Sequence, residues 1–394
     1  MSRAFWRGAA IAVLVTTCVA LGVFLIGALA VQIRADLDIG VSGIGVLVGT
    51  YFAVSALTSW AAGRTVERVG AERSMRFAVL LAAVALTVAS LSPNWVWLAL
   101  AMALSGIANA GGQAGANLFI ARFLPPTRHA LAFGIKQSGI PAATLLGGLA
   151  VPVIALTIGW RWAFGLGAAS AVVLAAFIPA RDRRSGSATD RAGRVGNARV
   201  PSLVVLAVSA ALGSAAANSL GAFFVDSTVS VGIGAGTAGL AYAAGSVVGL
   251  ASRVFAGWAA DRRSSGRLLW VAGLLAAGGA GYALMAVQVT WLLLPATLLC
   301  FAGGWGWPGL FNFAVVARNP NAPAEATGIT QTGNFAGGVT GPLLFGFVAE
   351  HASYVEAWSG AAAFALVGAG GIWVGRRMLI KAMLVAGSED ELPA

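Results

Sequence analysis

Apolar residues run in stretches of helix length along almost the whole chain, with polar residues gathered in short gaps between them. The stretches cover roughly 8–32, 41–62, 74–92, 95–121, 131–156, 160–180, 201–225, 234–259, 268–288, 290–316, 326–349 and 355–375. At about 1.5 Å of rise per residue, each can cross a hydrocarbon core about 30 Å thick. The pattern predicts an all-α integral membrane protein with twelve transmembrane helices. One gap is different: 181–200, RDRRSGSATDRAGRVGNARV, is polar, arginine-rich and without apolar periodicity. It divides the chain into a six-helix bundle over 1–180 and a second over 201–377, followed by a tail over 378–394. The first stretch has Arg3 and Arg7 before it and Ala28-Leu29-Ala30 near its end, as a secretory signal would. It is longer than a signal core and has a counterpart in the second half of the chain, so it reads as a retained first span.

Composition agrees with this picture. Of 394 residues, 58% are hydrophobic and 10% charged, where soluble domains carry about 25% charged residues. The 53 glycines suit helices that pack closely in lipid. The net charge of +11 does not point to nucleic acid, because its distribution follows the positive-inside rule. With the N-terminus in the cytoplasm, 22 of the 25 basic residues fall on the cytoplasmic side, Arg253 among them, and only Arg34 and Arg161 on the other. Lys136 remains. Both termini are therefore expected inside, in a bacterial inner (plasma) membrane. Cys18 and Cys300 lie in separate apolar runs and form no metal or disulfide pattern.

The two halves are related in sequence. GRTVERVG (63–70) and GWAADRRSSG (257–266), FGIKQSG (133–139) and TGITQTG (327–333), and GQAGANLF (112–119) and GWPGLFNF (306–313) all match at one offset of 194 residues. Internal repeats of this kind are a building plan of secondary transporters. The twelve spans, the long middle gap and Gly63-x-x-x-Glu67-Arg68-x-Gly70, with its degenerate copy at Gly257, Asp261 and Arg262, resemble the major facilitator superfamily over essentially the whole chain. The resemblance implies that spans one, four, seven and ten line a central cavity, and that spans two, five, eight and eleven form the contact between halves. It also implies that Gly63, Glu67, Arg68, Gly70, Gly257, Asp261 and Arg262 act as a conformational latch on the cytoplasmic side, although solvated loop charges would read the same. Two positions depart from patterns frequent in that family. Met102 stands where an arginine is often found in span four, and Ser138-Gly139-Ile140-Pro141 with Gly147 and Gly148 has the wrong spacing for a proton-driven exporter.

Polar groups inside a membrane need a partner or a purpose. Gln113 and Asn117 lie four apart in span four, Ser214 and Asn218 four apart in span seven, and Gln331 and Asn334 three apart in span eleven. Asn312 and Trp305 lie two turns apart in span ten, with Trp307 nearby. Polar groups set among aromatics suit a small-molecule site. Interhelical hydrogen bonding explains Gln137 and Gln331 equally well, since the repeat pairs them. Lys136 has only Thr330 as its repeat mate. A lysine at a span centre costs about 2.5–3.5 kcal/mol, so it either serves the pathway or snorkels back toward His129. No acid falls in the middle of a span, and Asp226 at the end of span seven is the one candidate for proton coupling.

Together these features predict a monomeric secondary transporter that moves a small organic anion or carboxylate by alternating access. Substrate-site candidates are Lys136, Gln113, Asn117, Asn218, Trp305, Trp307, Asn312, Gln331 and Asn334. No nucleotide-binding motif, cofactor signature, metal cluster or catalytic triad is present, and no nucleic-acid partner is expected. Efflux of drug-like or amphipathic compounds by proton antiport is the alternative within the class. A membrane sensor or enzyme on a similar scaffold is a remote one.

Overall fold

The computed structural model describes residues 3–123, 129–178, 200–262, 266–319 and 323–389, so most of the arginine-rich segment and the last five residues lie outside the described residues. Within them the chain is helical. The first span is α1 (Arg3–Ala28), continued past a bend at Leu29 by α2 (Ala30–Leu37). Then follow α3 (Val41–Val69), α4 (Ala71–Ser90) and α5 (Trp95–Phe123). The fifth span is α6 (His129–Gln137) and α7 (Gly139–Ala150), ending in a widened turn at Val151–Ala155, and the sixth is α8 (Trp160–Phe177). The second half repeats the plan with α9 (Val200–Ser230), α10 (Ala235–Arg262) and α11 (Arg267–Ala286). Its fourth span is α12 (Leu293–Leu299), a widened turn at Cys300–Gly304, and α13 (Trp307–Arg318), and α14 (Pro323–His351) and α15 (Tyr354–Glu389) complete it.

Eleven of these spans are long and apolar enough to cross a membrane. The twelfth, α14, has the length but carries Thr327, Thr330, Gln331, Thr332 and Asn334 in its first half. The last helix runs on to Glu389, into the stretch 378–394. The fifth and tenth spans are interrupted rather than continuous, next to Ser138-Gly139-x-Pro141 and Gly303-Gly304-Trp305-Gly306-x-Pro308. Glycine and the missing N–H of proline weaken the helical ladder at such points.

The halves meet along α3 with α14, α7 with α10, and α1 with α9, and glycines show where. At the end of the molecule away from the termini, backbones touch. A Cβ on Gly45 would lie 2.4 Å from Pro342 O, one on Gly148 2.6 Å from Gly239 O, and one on Gly27 2.2 Å from Gly221 O. At the end carrying the termini, Cβ atoms on Gly63, Gly134, Gly257 and Gly328 would meet nothing within 4 Å. These four are repeat mates in pairs, on α3, α6, α10 and α14. The bundles are therefore closed against each other at the far end and parted at the termini end.

Candidate substrate site

The polar face of α5 forms a ladder. Asn109 Nδ2 donates to Ser55 Oγ on α3 at 2.7 Å, and Gln113 Nε2 donates to Asn109 Oδ1 at 3.3 Å. One turn on, Asn117 Oδ1 accepts from Lys136 Nζ at 2.8 Å. Four-residue spacing puts all three α5 side chains on one face. Asn109 is buried, Gln113 half-buried and Asn117 exposed, so the ladder runs from the packed interior to the open end. Lys136 is only 3% exposed and is fixed sideways to α5, which is not a snorkelling arrangement. It sits behind Asn117 rather than projecting alone into open space. Asn109 and Ser55 were not singled out from sequence, although Asn109 continues the spacing of Gln113 and Asn117.

The second half has its own cluster. Ser214 Oγ donates to Asn334 O at 2.8 Å, Asn218 Nδ2 to Ser214 O at 2.8 Å, and Asn334 Nδ2 to Gln331 Oε1 at 2.9 Å. Asn218, Gln331 and Asn334 are thus brought together between α9 and α14. The tryptophans do not face open space in this conformation. Trp305 is 4% exposed, donates from Nε1 to Ala217 O at 2.6 Å, and packs edge-on to Phe24 of the first half. Trp307 is fully buried against Gly213 and Phe311. Among the described residues, its Nε1, Asn312 Oδ1 and Gln137 Oε1 are buried without a hydrogen-bond partner.

Arg253, counted from the sequence with the charges of the cytoplasmic side, lies nine residues from the end of α10. Its Nε donates to Trp305 O at 2.8 Å and its Nη1 to Gln137 O at 3.3 Å. Both acceptors are at helix interruptions, one in each half, where carbonyls are released from the helical ladder. Beside it, Ser252 Oγ donates to Ala302 O at 2.6 Å. Lys136 is therefore not the one basic residue well inside a span. Its sequence signal was plain, since Arg253 falls within the stretch 234–259.

Asp226 is buried inside α9, which continues to Ser230. It pairs with Arg34 of α2 at 2.6 Å and accepts a hydrogen bond from Tyr354 of α15. Close by, Glu350 at the end of α14 accepts from the Ser42 backbone N–H at 2.6 Å, capping the start of α3. A carboxylate there is favoured by the helix dipole. Gly40 makes the room, since its Cβ would stand 2.4 Å from the carboxylate. Both contacts tie one half to the other at the far end. Glu67 and Arg68 are exposed, and Gly63 and Gly257 face open space. Gly70 takes φ 95° in the turn between α3 and α4. The side chains of Asp261 and Arg262 lie outside the described residues.

The sequence profile described as Major Facilitator Superfamily matches residues 12–342. The chain is 27% identical over 321 residues to an MFS-type efflux pump of Mycolicibacterium smegmatis, covering 76% of this chain and 70% of that one. It is 29% identical over 148 residues to Polyol transporter 5 of Arabidopsis thaliana and 24% identical over 134 residues to a hexuronate transporter of Bacillus subtilis. Those matches span only 28% and 32% of the two relatives. Among solved structures, a bacterial homologue of the human lysosomal transporter Spinster, inward-facing and occupied, superposes with TM-score 0.78 at 17% identity over 97% of this chain and 98% of that one. The unoccupied inward-facing form gives 0.76. This chain belongs to the Major Facilitator Superfamily of transporters.

Proposed function

We propose that the protein moves a small organic anion across the plasma membrane by rocking its two bundles about the polar ladder of α5 and the cluster between α9 and α14. Lys136 carries this reading. It is a buried ammonium whose described partner is a neutral amide, next to an opening between the halves, where a carboxylate would offset its desolvation. The charge split along the sequence puts the open, termini-bearing end in the cytoplasm, so the structure corresponds to the inward-open state. Glu67, Arg68 and the glycines near them then close that end in the opposite state. Asp226 is engaged by Arg34 and Tyr354, which favours a gating role over proton carriage.

Efflux of an amphipathic compound is the second reading, favoured by the length of the match to the mycobacterial pump. A proteoliposome screen of carboxylates and cationic drugs, with and without a pH gradient, separates the two. Carboxylate uptake supports the first reading, and movement of cationic drugs alone supports the second.

A further inference from the structure

The repeat relates the seam between α7 and α10 to the seam between α14 and α3. At the shared offset, Lys136 corresponds to Thr330 and Arg253 to Ser59. Those two mates are uncharged, and their hydroxyls turn back onto their own helices: Thr330 Oγ1 donates to Ala326 O at 3.1 Å and Ser59 Oγ to Ser55 O at 2.6 Å. One seam therefore carries two cations at positions where the other carries two satisfied hydroxyls. Among the described residues, neither Lys136 nor Arg253 stands in an ion pair; their described contacts are one amide oxygen and two backbone carbonyls.

The two cations also lie at similar depth. Lys136 is seven residues from the start of α6 and Arg253 nine from the end of α10, or about 10 and 14 Å along the helices. Arg253 reaches Gln137, the neighbour of Lys136, across the boundary between halves. Toward the termini, Gly134, two residues from Lys136, and Gly257, one turn from Arg253, meet no neighbour. The other way, backbone contact comes only at Gly148 and Gly239, more than three turns from the pair. The pair thus lies on the parted side of the seam, with Lys136 covered by Asn117.

We infer that Lys136 and Arg253 form one seat for a small dianion, and that the carrier selects a dicarboxylate over a monocarboxylate of the same length. The inference rests on the anion reading above. A monoanion leaves one of two buried cations uncompensated, whereas a dicarboxylate gives each a partner. The guanidinium has five N–H donors in a planar fork and commits two of them to Trp305 and Gln137, leaving donors for a carboxylate. Because Lys136 belongs to one half and Arg253 to the other, a ligand that holds both gains most when the halves close over it. Differential affinity of that kind is what allows a ligand to shift a conformational equilibrium.

The test uses the full-length purified protein and two four-carbon probes, succinate and butyrate, with binding measured by titration calorimetry. The wild type is expected to bind succinate about tenfold more tightly than butyrate or better, a difference of about 1.4 kcal/mol. Arg253→Gln should abolish the difference, leaving the affinities for succinate and butyrate within about twofold of each other. Should Arg253→Gln not fold, Arg253→Lys, which keeps the charge but loses the planar fork, should narrow the succinate preference at least about threefold. Equal affinity for both probes in the wild type, or a preference narrowed by less than that in the folded variant, overturns the dianion seat while leaving anion transport standing. Failure of the wild type to bind either probe overturns the anion reading and the seat with it.

Discussion

Asp226 of α9 and Arg34 of α2 stand 2.6 Å apart, and this ion pair, with Tyr354 on the same carboxylate, joins the first, seventh and twelfth spans at the end of the molecule that is closed. Asp226 is 5% exposed and Arg34 about a third exposed, so the pair is only partly screened. Asp226→Asn removes its charge but keeps hydrogen-bonding capacity, and should shift the carrier toward opening at that end. In a protein with Cys18 and Cys300 replaced by alanine, a cysteine at Ala222, 2% exposed here, reports the opening. Thiol labelling at Ala222→Cys should rise about tenfold in the Asp226→Asn background, the effect of about 1.4 kcal/mol on a two-state equilibrium. An unchanged rate removes the pair from the gate.

Glu350 makes the neighbouring contact pH-sensitive. Hydrogen bonding from Ser42 holds its carboxyl below the usual carboxylate range; the charges of His351 and Arg34 act in the same direction, and the small desolvation opposes them. A depressed carboxylate stabilises the closed arrangement in its ionised form. That contribution is fully present above the ordinary carboxylate range and is lost as pH falls through the depressed value. Labelling at Ala222→Cys should therefore increase on acidification into that range. Glu350→Gln should flatten this response, and a response that survives the substitution assigns it to another group.

The glycines predict an asymmetry between the two ends. A side chain at Gly328 or Gly63 meets open space in this conformation, but must be accommodated when the termini end closes. Gly328→Val should leave thermal stability within about 2 °C of wild type, the range expected of a surface substitution, and should slow transport several-fold. Gly45→Ala forces a Cβ to 2.4 Å from Pro342 O and should destabilise the conformation seen here. Equal effects of the two on stability contradict the opening between the halves.

Glu67 is exposed and, among the described residues, makes no described hydrogen bond or ion pair. Glu67→Gln should preserve folding and expression and reduce transport, because its contacts are expected only when the termini end is closed. The orientation has its own check: a single cysteine at Ser187, in the arginine-rich segment, should resist a membrane-impermeant thiol reagent added outside intact cells. Labelling from outside reverses the assignment of inside and outside.

Spans and repeat were legible in the sequence because apolar length and a constant offset survive without knowledge of packing. The face of α5 was legible too, since Gln113 and Asn117 follow helical spacing. Interruptions within spans were not, although Ser138-Gly139-x-Pro141 and the glycines around Trp305 carried their signal. Overall hydropathy hides a break when the residues on both sides are apolar. Arg253 was counted with the cytoplasmic charges although it falls within the stretch 234–259, and only the fold shows that it points to carbonyls in both halves. Trp305 and Trp307 read as cavity aromatics by composition, but the close approach of Gly221 and Gly213 buries them in helix packing. Glu350 carried no signal in the sequence because its partner, the N-terminus of α3, is 308 residues away.

Uptake of a labelled carboxylate into proteoliposomes, compared between wild type, Lys136→Arg and Lys136→Ala at equal reconstituted protein, tests the central claim most directly. The account predicts robust uptake by the wild type, partial uptake by Lys136→Arg, whose charge persists with altered geometry, and background uptake by Lys136→Ala, with all three proteins folded and inserted. Uptake by Lys136→Ala equal to wild type would contradict it.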